Sequence, residues 1–491
     1  MSNRKLIYYD DARHYHFYIP DPPITHEQVT APIDAAAGTG VDTFVWGFGV
    51  GPTVFHDSKV ADIFASHLEV IGDVASWRAY ENSMSLIRDG EDALTVMIDR
   101  AHEVGMDFIG SLRLTHSSNP HDKDNAHNWR FKIEHPEWVL KGTDDPERKN
   151  SFNWVHPEVR AERFAIAEET IVRYDVDGIE LDLSFAPFYF EADEVANNLH
   201  VITEFIRDLR TVAQRSKKKR RGPVAVGARI LPTLSANLEA GFDVETWISE
   251  GLLDFVVPNV YGHIPIDPDF PFNWVTELAS GTHCEVYPAM GSIAGGNREG
   301  YASVEHYRAA AAAYWDRGAD AIYLPWFRWP VGPEERQLFS EMGDPDVLSE
   351  LPKRYFMAPQ HASNLKFGHT SMLPIDLEVG QAKTVSIHLA ENVDRAQATL
   401  CLRLDQSTSL DDMAILINGT ELDQEHRKYT PYGYTYSTLE FILPEGTLVH
   451  GRNEVSVRVD SRPMNLDRTV VLSALEIDID YPKTETPTAM V

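Results

Sequence analysis

The stretch Val176-Asp177-Gly178-Ile179-Glu180-Leu181-Asp182-Leu183-Ser184-Phe185 decides the fold. Apart from its acids it is aliphatic on both strand faces, as expected of a parallel strand covered on each side. A helical pattern precedes it, with Phe164, Ala167, Ile171 and Tyr174 at spacings of 3, 4 and 3. Another follows, marked by Val195, Leu199, Ile202, Phe205, Leu209 and Val212. Helix, buried strand and helix in that order are the repeat unit of a parallel α/β fold.

The same unit runs through residues 1–345. Strand-like segments stand at 6–9, 43–46, 108–114, 178–183, 224–230, 255–260, 284–288 and 321–326, and Tyr307, Ala311 and Tyr314 mark a late helix. Gly40, Gly105, Gly251 and Gly318 close helices where a left-handed cap is wanted. No glycine-rich phosphate loop follows the first strand, as an open dinucleotide-binding sheet would carry. Eight repeats predict an α/β fold, a (β/α)8 TIM barrel over residues 1–345. Breakers such as Gly343-Asp344-Pro345 and Leu351-Pro352 then open a linker, 346–372. From 373 to 483 the apolar period becomes two, as in Val385/Ile387/Leu389 and Val455/Val457/Val459, with turns at Asn418-Gly419 and Gly451-Arg452-Asn453. This predicts an all-β sandwich domain, with 429–436 as an aromatic loop inside it and 484–491 as a loose tail.

Composition excludes several partners. The chain has 44 Lys+Arg against 75 Asp+Glu, a net charge of −31, which opposes binding to nucleic acid or anionic lipid. Its one basic run, Lys217-Lys218-Lys219-Arg220-Arg221, reads as the solvated end of a long helix. No segment has the length or apolarity of a membrane span or a secretory signal, so the expectation is either a cytoplasmic protein or a secreted one whose signal has been removed. The two cysteines, Cys284 and Cys401, make no disulfide framework and read as buried core thiols. Neither a metal site nor a cofactor is expected: His116, His121, Asp122, Asp124 and His127 lack ligand spacing and read as a polar loop.

A barrel places its chemistry at the carboxyl ends of its strands. Glu180 and Asp182 are two apart, so they share a strand face with Cα atoms ~6.5–7 Å apart. Two acids on one apolar strand are costly unless a polar cavity or buried arginines receive them. The other strand ends offer Asp10, Asp11, Arg13 and His14; Trp46; Arg113 and His116; Arg229; Asn259, Tyr261 and His263; and Trp326 and Arg328. Asp267 and Asp269 follow in the loop after the sixth strand. Aromatic faces among carboxylates and amide donors suit a sugar ring, which stacks through its C–H face and hydrogen-bonds through its hydroxyls. Arg113, Arg229 and Arg328 either bind an anionic sulfated or uronic glycan or pair with the barrel's own acids.

Several segments resemble a known group. His156-Pro157-Glu158-Val159-Arg160 followed by the run from Tyr174 to Asp182 resembles bacterial glycosyl-hydrolase-like barrels of the family-10-like kind. So do Leu238-Glu239-Ala240-Gly241-Phe242-Asp243, Gly251-Leu252-Leu253-Asp254-Phe255 and Gly318-Ala319-Asp320-Ala321-Ile322-Tyr323. The resemblance implies carbohydrate hydrolysis. The fourth strand is also similar to the chitinase D-G-x-D-x-D-x-E pattern, with Ser184 in place of that family's proton-donating Glu.

The expected activity is therefore a glycoside hydrolase on a poly- or oligosaccharide. Asp182 is its nucleophile or base and Glu180 its acid, with Asp267 or Asp269 as the alternative acid. The contacts expected for substrate are Asp10, Trp46, Arg113, His116, Arg229, Asn259, Tyr261, Asp267, Trp326 and Arg328. The alternatives are a lyase on uronic polymers, with His116 or Tyr261 as base, and a glycan-binding protein without catalysis.

Overall fold

The computed structural model describes residues 4–11, 17–142, 148–216, 223–260, 262, 264–294, 300–361, 368–424, 427–432 and 434–482. Arg13, His14, the basic run at 217–221, Tyr261, His263 and the tail at 484–491 lie outside them. The chain divides into two compact units. The first comprises Met1–Gly262, Pro271–Ala289 and Ala319–Gly343; the second His263–Phe270, Met290–Gly318 and Asp344–Val491.

The main sheet of the first unit has eight strands: β1 (Leu6–Asp11), β2 (Thr43–Gly47), β3 (Asp107–Arg113), β4 (Gly178–Asp182), β5 (Ala225–Ile230), β6 (Phe255–Pro258), β7 (Glu285–Val286) and β8 (Ile322–Leu324). All pair in parallel, in the order β8-β1-β2-β3-β4-β5-β6-β7. The edges meet where the Tyr323 N–H donates to the Pro288 carbonyl at 3.2 Å, beside a parallel bridge between Ala289 and Tyr323. The parallel barrel read from the repeat is therefore present. Its interior is filled by alternate strand residues, among them Ile7, Tyr9, Val45, Ile109, Val257 and Tyr323. At Gly47 a Cβ would stand 2.5 Å from the Tyr9 hydroxyl, so glycine is what lets that ring lie across the strand.

The helices follow their apolar periods. Pro157–Arg173 opens with proline at its first turn, where the missing N–H costs nothing. Leu199–Arg215 buries Ile202, Phe205, Ile206 and Leu209 on one side. Gly105, Gly251 and Gly318 have the left-handed φ read for them, but after helix His26–Ala36 it is Gly38 that turns left-handed. Gly40 instead donates to the Phe339 carbonyl at 3.1 Å, and a Cβ there would come within 2.5 Å of that oxygen.

His56 is buried between the rings of Phe48 and Tyr174. Burial pulls its pKa from 6.5 down to about 4 despite nearby Asp92 and Glu169. Between those values the unfolded chain takes up a proton that the folded one refuses, so stability falls as pH drops from 6.5 toward 4. The expected loss is up to about 3 kcal/mol from this group. Urea titrations at pH 7 and pH 4.5 should show His56→Phe with a smaller acid loss than wild type; an equal loss would assign the acid sensitivity elsewhere.

In the second unit, two antiparallel sheets share one core. The six-stranded sheet contains Lys353–Phe356, Ile375–Leu377, Gln397–Asp405, Lys428–Tyr432, Tyr436–Ile442 and Val470–Asp480. The four-stranded sheet contains Ala382–Leu389, Asp412–Ile417, Thr420–Glu421 and Gly451–Ser461. Leu400, Leu402, Ile477, Val455, Val457 and Ile415 all meet in the core, so the period-two reading gives the sandwich. Three details differ from the sequence reading. The strand Lys353–Phe356 falls within the stretch read as a linker and pairs with Val470–Asp480. In the tyrosine-rich stretch the described residues form an edge pair, Lys428–Tyr432 against Tyr436–Ile442, with Tyr429 opposite Leu439. Cys401, on a strand's outer face, is half-buried, whereas Cys284 is buried; both thiols are free. Among the described residues no helix is long and apolar enough to cross a membrane.

Candidate functional site

The register of β3, β4 and β5 assembles the site. Ser111 stands opposite Glu180, and Asp182 lies between Arg113 and Arg229. Glu180 and Asp182 point into the barrel and are both fully buried. Glu180 is held through one oxygen only: Oε1 accepts from Ser111 Oγ at 2.7 Å, Tyr323 Oη at 3.2 Å and Arg229 Nη2. Asp182 is anchored likewise, its Oδ1 accepting from Ser184 Oγ at 2.9 Å and from the Ser184 and Phe185 N–H groups at 3.2 Å each. Asn259 Nδ2 donates to the same Ser184 Oγ at 2.9 Å. Ser184, where the chitinase pattern has its acid, is thus a clamp on Asp182.

The opposite oxygens are left open. Among the described residues Glu180 Oε2, Asp182 Oδ2 and Asn259 Oδ1 have no hydrogen-bond partner. Asp182 Oδ2 stands 3.6 Å from both Arg113 Nε and Arg229 Nη1, close enough for charge attraction but beyond a hydrogen bond. Buried polar atoms are nearly always paired, so open ones mark where a further polar group binds.

Two guanidiniums organise the charge. Arg229 lies 4.2 Å from the Tyr9 ring centroid and 5.1 Å from that of Tyr323, and donates to Tyr323 Oη at 2.6 Å. Burial opposes its charge, but Glu180, Tyr323 and Asp182 outweigh this and hold its pKa above the usual arginine value. Arg113 pairs with Asp11, receives further support from Tyr9 Oη at 3.2 Å, and stacks 4.7 Å from the Phe185 ring centroid. Among the described residues, three carboxylates, Asp11, Glu180 and Asp182, therefore face the two guanidiniums of Arg113 and Arg229.

The remaining expected contacts divide. His116 is half-buried, stacks on His127 at 5.6 Å and packs tilted against Phe185 at 5.7 Å. Trp326, just past β8, is 6% exposed and has a left-handed φ of 51°, a strained backbone for a bulky residue. Asp10 and Trp46 face away from the barrel interior. Tyr9 points inward, so its neighbour Asp10 points to the helix layer, and Trp46 stacks there on Phe17 at 6.1 Å. Burial, with Asp11 beside it, pushes the Asp10 carboxyl well above its usual range. Arg328 pairs with Glu334 at 2.7 Å and Glu335 at 3.2 Å, so all three arginines face protein carboxylates. Asp267 belongs to the second unit, where it meets His369 Nε2 at 2.6 Å. Tyr261 is outside the described residues. The sequence reading missed Ser111, Phe185 and Tyr323, and it named Asp11 without ranking it above Asp10.

Residues 68–204, which include β3, β4 and both candidate catalytic acids, match the family described as Glycosyl hydrolase-like 10. No curated protein matches the chain. Among solved structures it is similar to a cycloisomaltooligosaccharide glucanotransferase of Paenibacillus sp., at 10% identity over 96% of this chain and 57% of that one, with a TM-score of 0.35. An alpha-L-fucosidase isoenzyme 2 from Paenibacillus thiaminolyticus is 14% identical over 70% of this chain and 49% of its own, with a TM-score of 0.43. An Anoxybacillus alpha-amylase is 11% identical over 94% and 99%, with a TM-score of 0.41. The chain thus spans 57% and 49% of the length of the first two.

Proposed function

We propose that the barrel hydrolyses glycosidic bonds of a neutral poly- or oligosaccharide, with Asp182 as nucleophile or base. The observation that carries this is the division of labour within the Asp182 carboxylate: Oδ1 takes three hydrogen bonds from its own strand end, and Oδ2 is left open. An oxygen aimed in this way is preorganised to attack or to activate water. The carboxylates of Asp182 and Glu180 complement the positive charge that develops on the sugar ring in an oxocarbenium-like transition state. His116 and Phe185 supply ring faces for a sugar, and Asn259 Oδ1 an acceptor for a hydroxyl. An anionic glycan and a uronate lyase both need free guanidinium, and here the arginines face carboxylates of the protein itself.

The test is incubation with neutral, sulfated and uronic glycans, with products read by mass spectrometry. Saturated fragments from a neutral glycan support the proposal. Products from anionic glycans alone would overturn the substrate class, and unsaturated products would mean lyase chemistry. Full burial of both acids also favours a second reading, a barrel that only binds glycan; calorimetric binding without product would select it.

A further inference from the structure

Lys132 is fully buried, yet among the described residues no carboxylate pairs with its ammonium. Its Nζ donates to the His116 carbonyl at 2.6 Å and to Ser118 Oγ at 3.4 Å, and lies 5.0 Å from the Trp129 ring centroid and 5.7 Å from that of Phe152. Arg163 shares those two rings, at 5.1 and 6.0 Å, and donates to the Leu114 carbonyl at 2.8 Å. Glu162, the neighbouring acid, is taken by Arg163 and by Trp129 Nε1. Burial and the adjacent Arg163 accordingly push the lysine's pKa well below its usual value. Methionine would fill the same space between aromatic rings without that cost, so packing alone does not explain a lysine here.

The two cations hold the main chain that leaves β3. Arg163 fixes Leu114, Lys132 fixes His116, and between them Thr115 Oγ1 lies 2.7 and 2.8 Å from the Phe185 and Ala186 carbonyls. His116 in turn packs tilted against Phe185, which carries the Arg113 guanidinium on its face. We propose that Lys132 is a positioning residue for the glycan site, holding His116 through its carbonyl so that the imidazole and Phe185 keep one arrangement beside Asp182. This role rests on the hydrolase reading above.

The experiment compares Lys132→Met and Lys132→Arg with wild type by thermal unfolding, hydrogen exchange of the 114–118 amides, and kinetics on whichever glycan the wild type cleaves. Lys132→Met is expected to keep or raise Tm, to speed exchange at 114–118 at least tenfold, and to raise KM about tenfold with kcat changed far less. Lys132→Arg, which still donates to a carbonyl, should restore part of both effects. A lowered Tm with exchange at 114–118 unchanged, or an unchanged KM, would overturn the role. If the wild type cleaves no glycan the hydrolase reading fails, while faster exchange confined to 114–118 would still support the tie from Lys132 to His116.

Discussion

Replacing Asp182 by Asn is expected to lower glycan turnover at least ~10²-fold, the scale of loss for a missing base or nucleophile. The fold should survive, for two reasons. The amide oxygen can take over the three hydrogen bonds that Oδ1 now accepts from Ser184 and Phe185. The substitution also leaves the Arg113–Asp11 and Arg229–Glu180 pairs in place. What is lost is the open anionic oxygen 3.6 Å from each guanidinium. Circular dichroism and Tm near those of wild type, with turnover gone, are the predicted pair of results. A variant retaining more than about a tenth of the activity would remove Asp182 from the reaction.

The second large effect is on stability. Arg229→Met should destabilise the barrel by about 3–5 kcal/mol, because truncating one member of a buried ion pair strands the other. Glu180 Oε1 would then lose its charged donor while keeping Ser111 and Tyr323, and Asp182 would lose one of its two guanidinium neighbours. The methionine fills much of the volume near Tyr9 and Tyr323, so the loss is mainly electrostatic. Adding Glu180→Gln should recover part of it, with a coupling of about 0.5–3 kcal/mol in a urea double-mutant cycle. A cost under about 1 kcal/mol for Arg229→Met, or strictly additive variants, would mean that the network carries less charge than its geometry implies.

The barrel was legible because its strands are apolar on both faces and its helices are not, so the two periods separate cleanly. That same property hid part of the site. A strand buried on both sides gives no polar alternation to fix its phase, and Asp10 and Asp11 looked alike; only the inward Tyr9 decides between them. Glu180 and Asp182 escaped the ambiguity because any phase puts both on one face. Arginine partners were illegible for another reason: that Arg113 and Arg229 flank Asp182 depends on the stagger of three strands far apart in the chain. Ser184 drew attention as an absent glutamate, and its role as a clamp appeared only with the geometry.

The edge pair that closes one side of the sandwich has a consequence beyond its own stability. Its outermost strand, Lys428–Tyr432, exposes a ladder edge that another chain could extend without limit. Two residues discourage this: Pro431 brings no N–H to a new neighbour, and the exposed Lys428, tied to Glu440 at 2.7 Å, sets a charge on the rim. In a crowded solution that edge is blunted against fibrillar growth, so the exposed Tyr434 beside it can stay at the surface without seeding self-association.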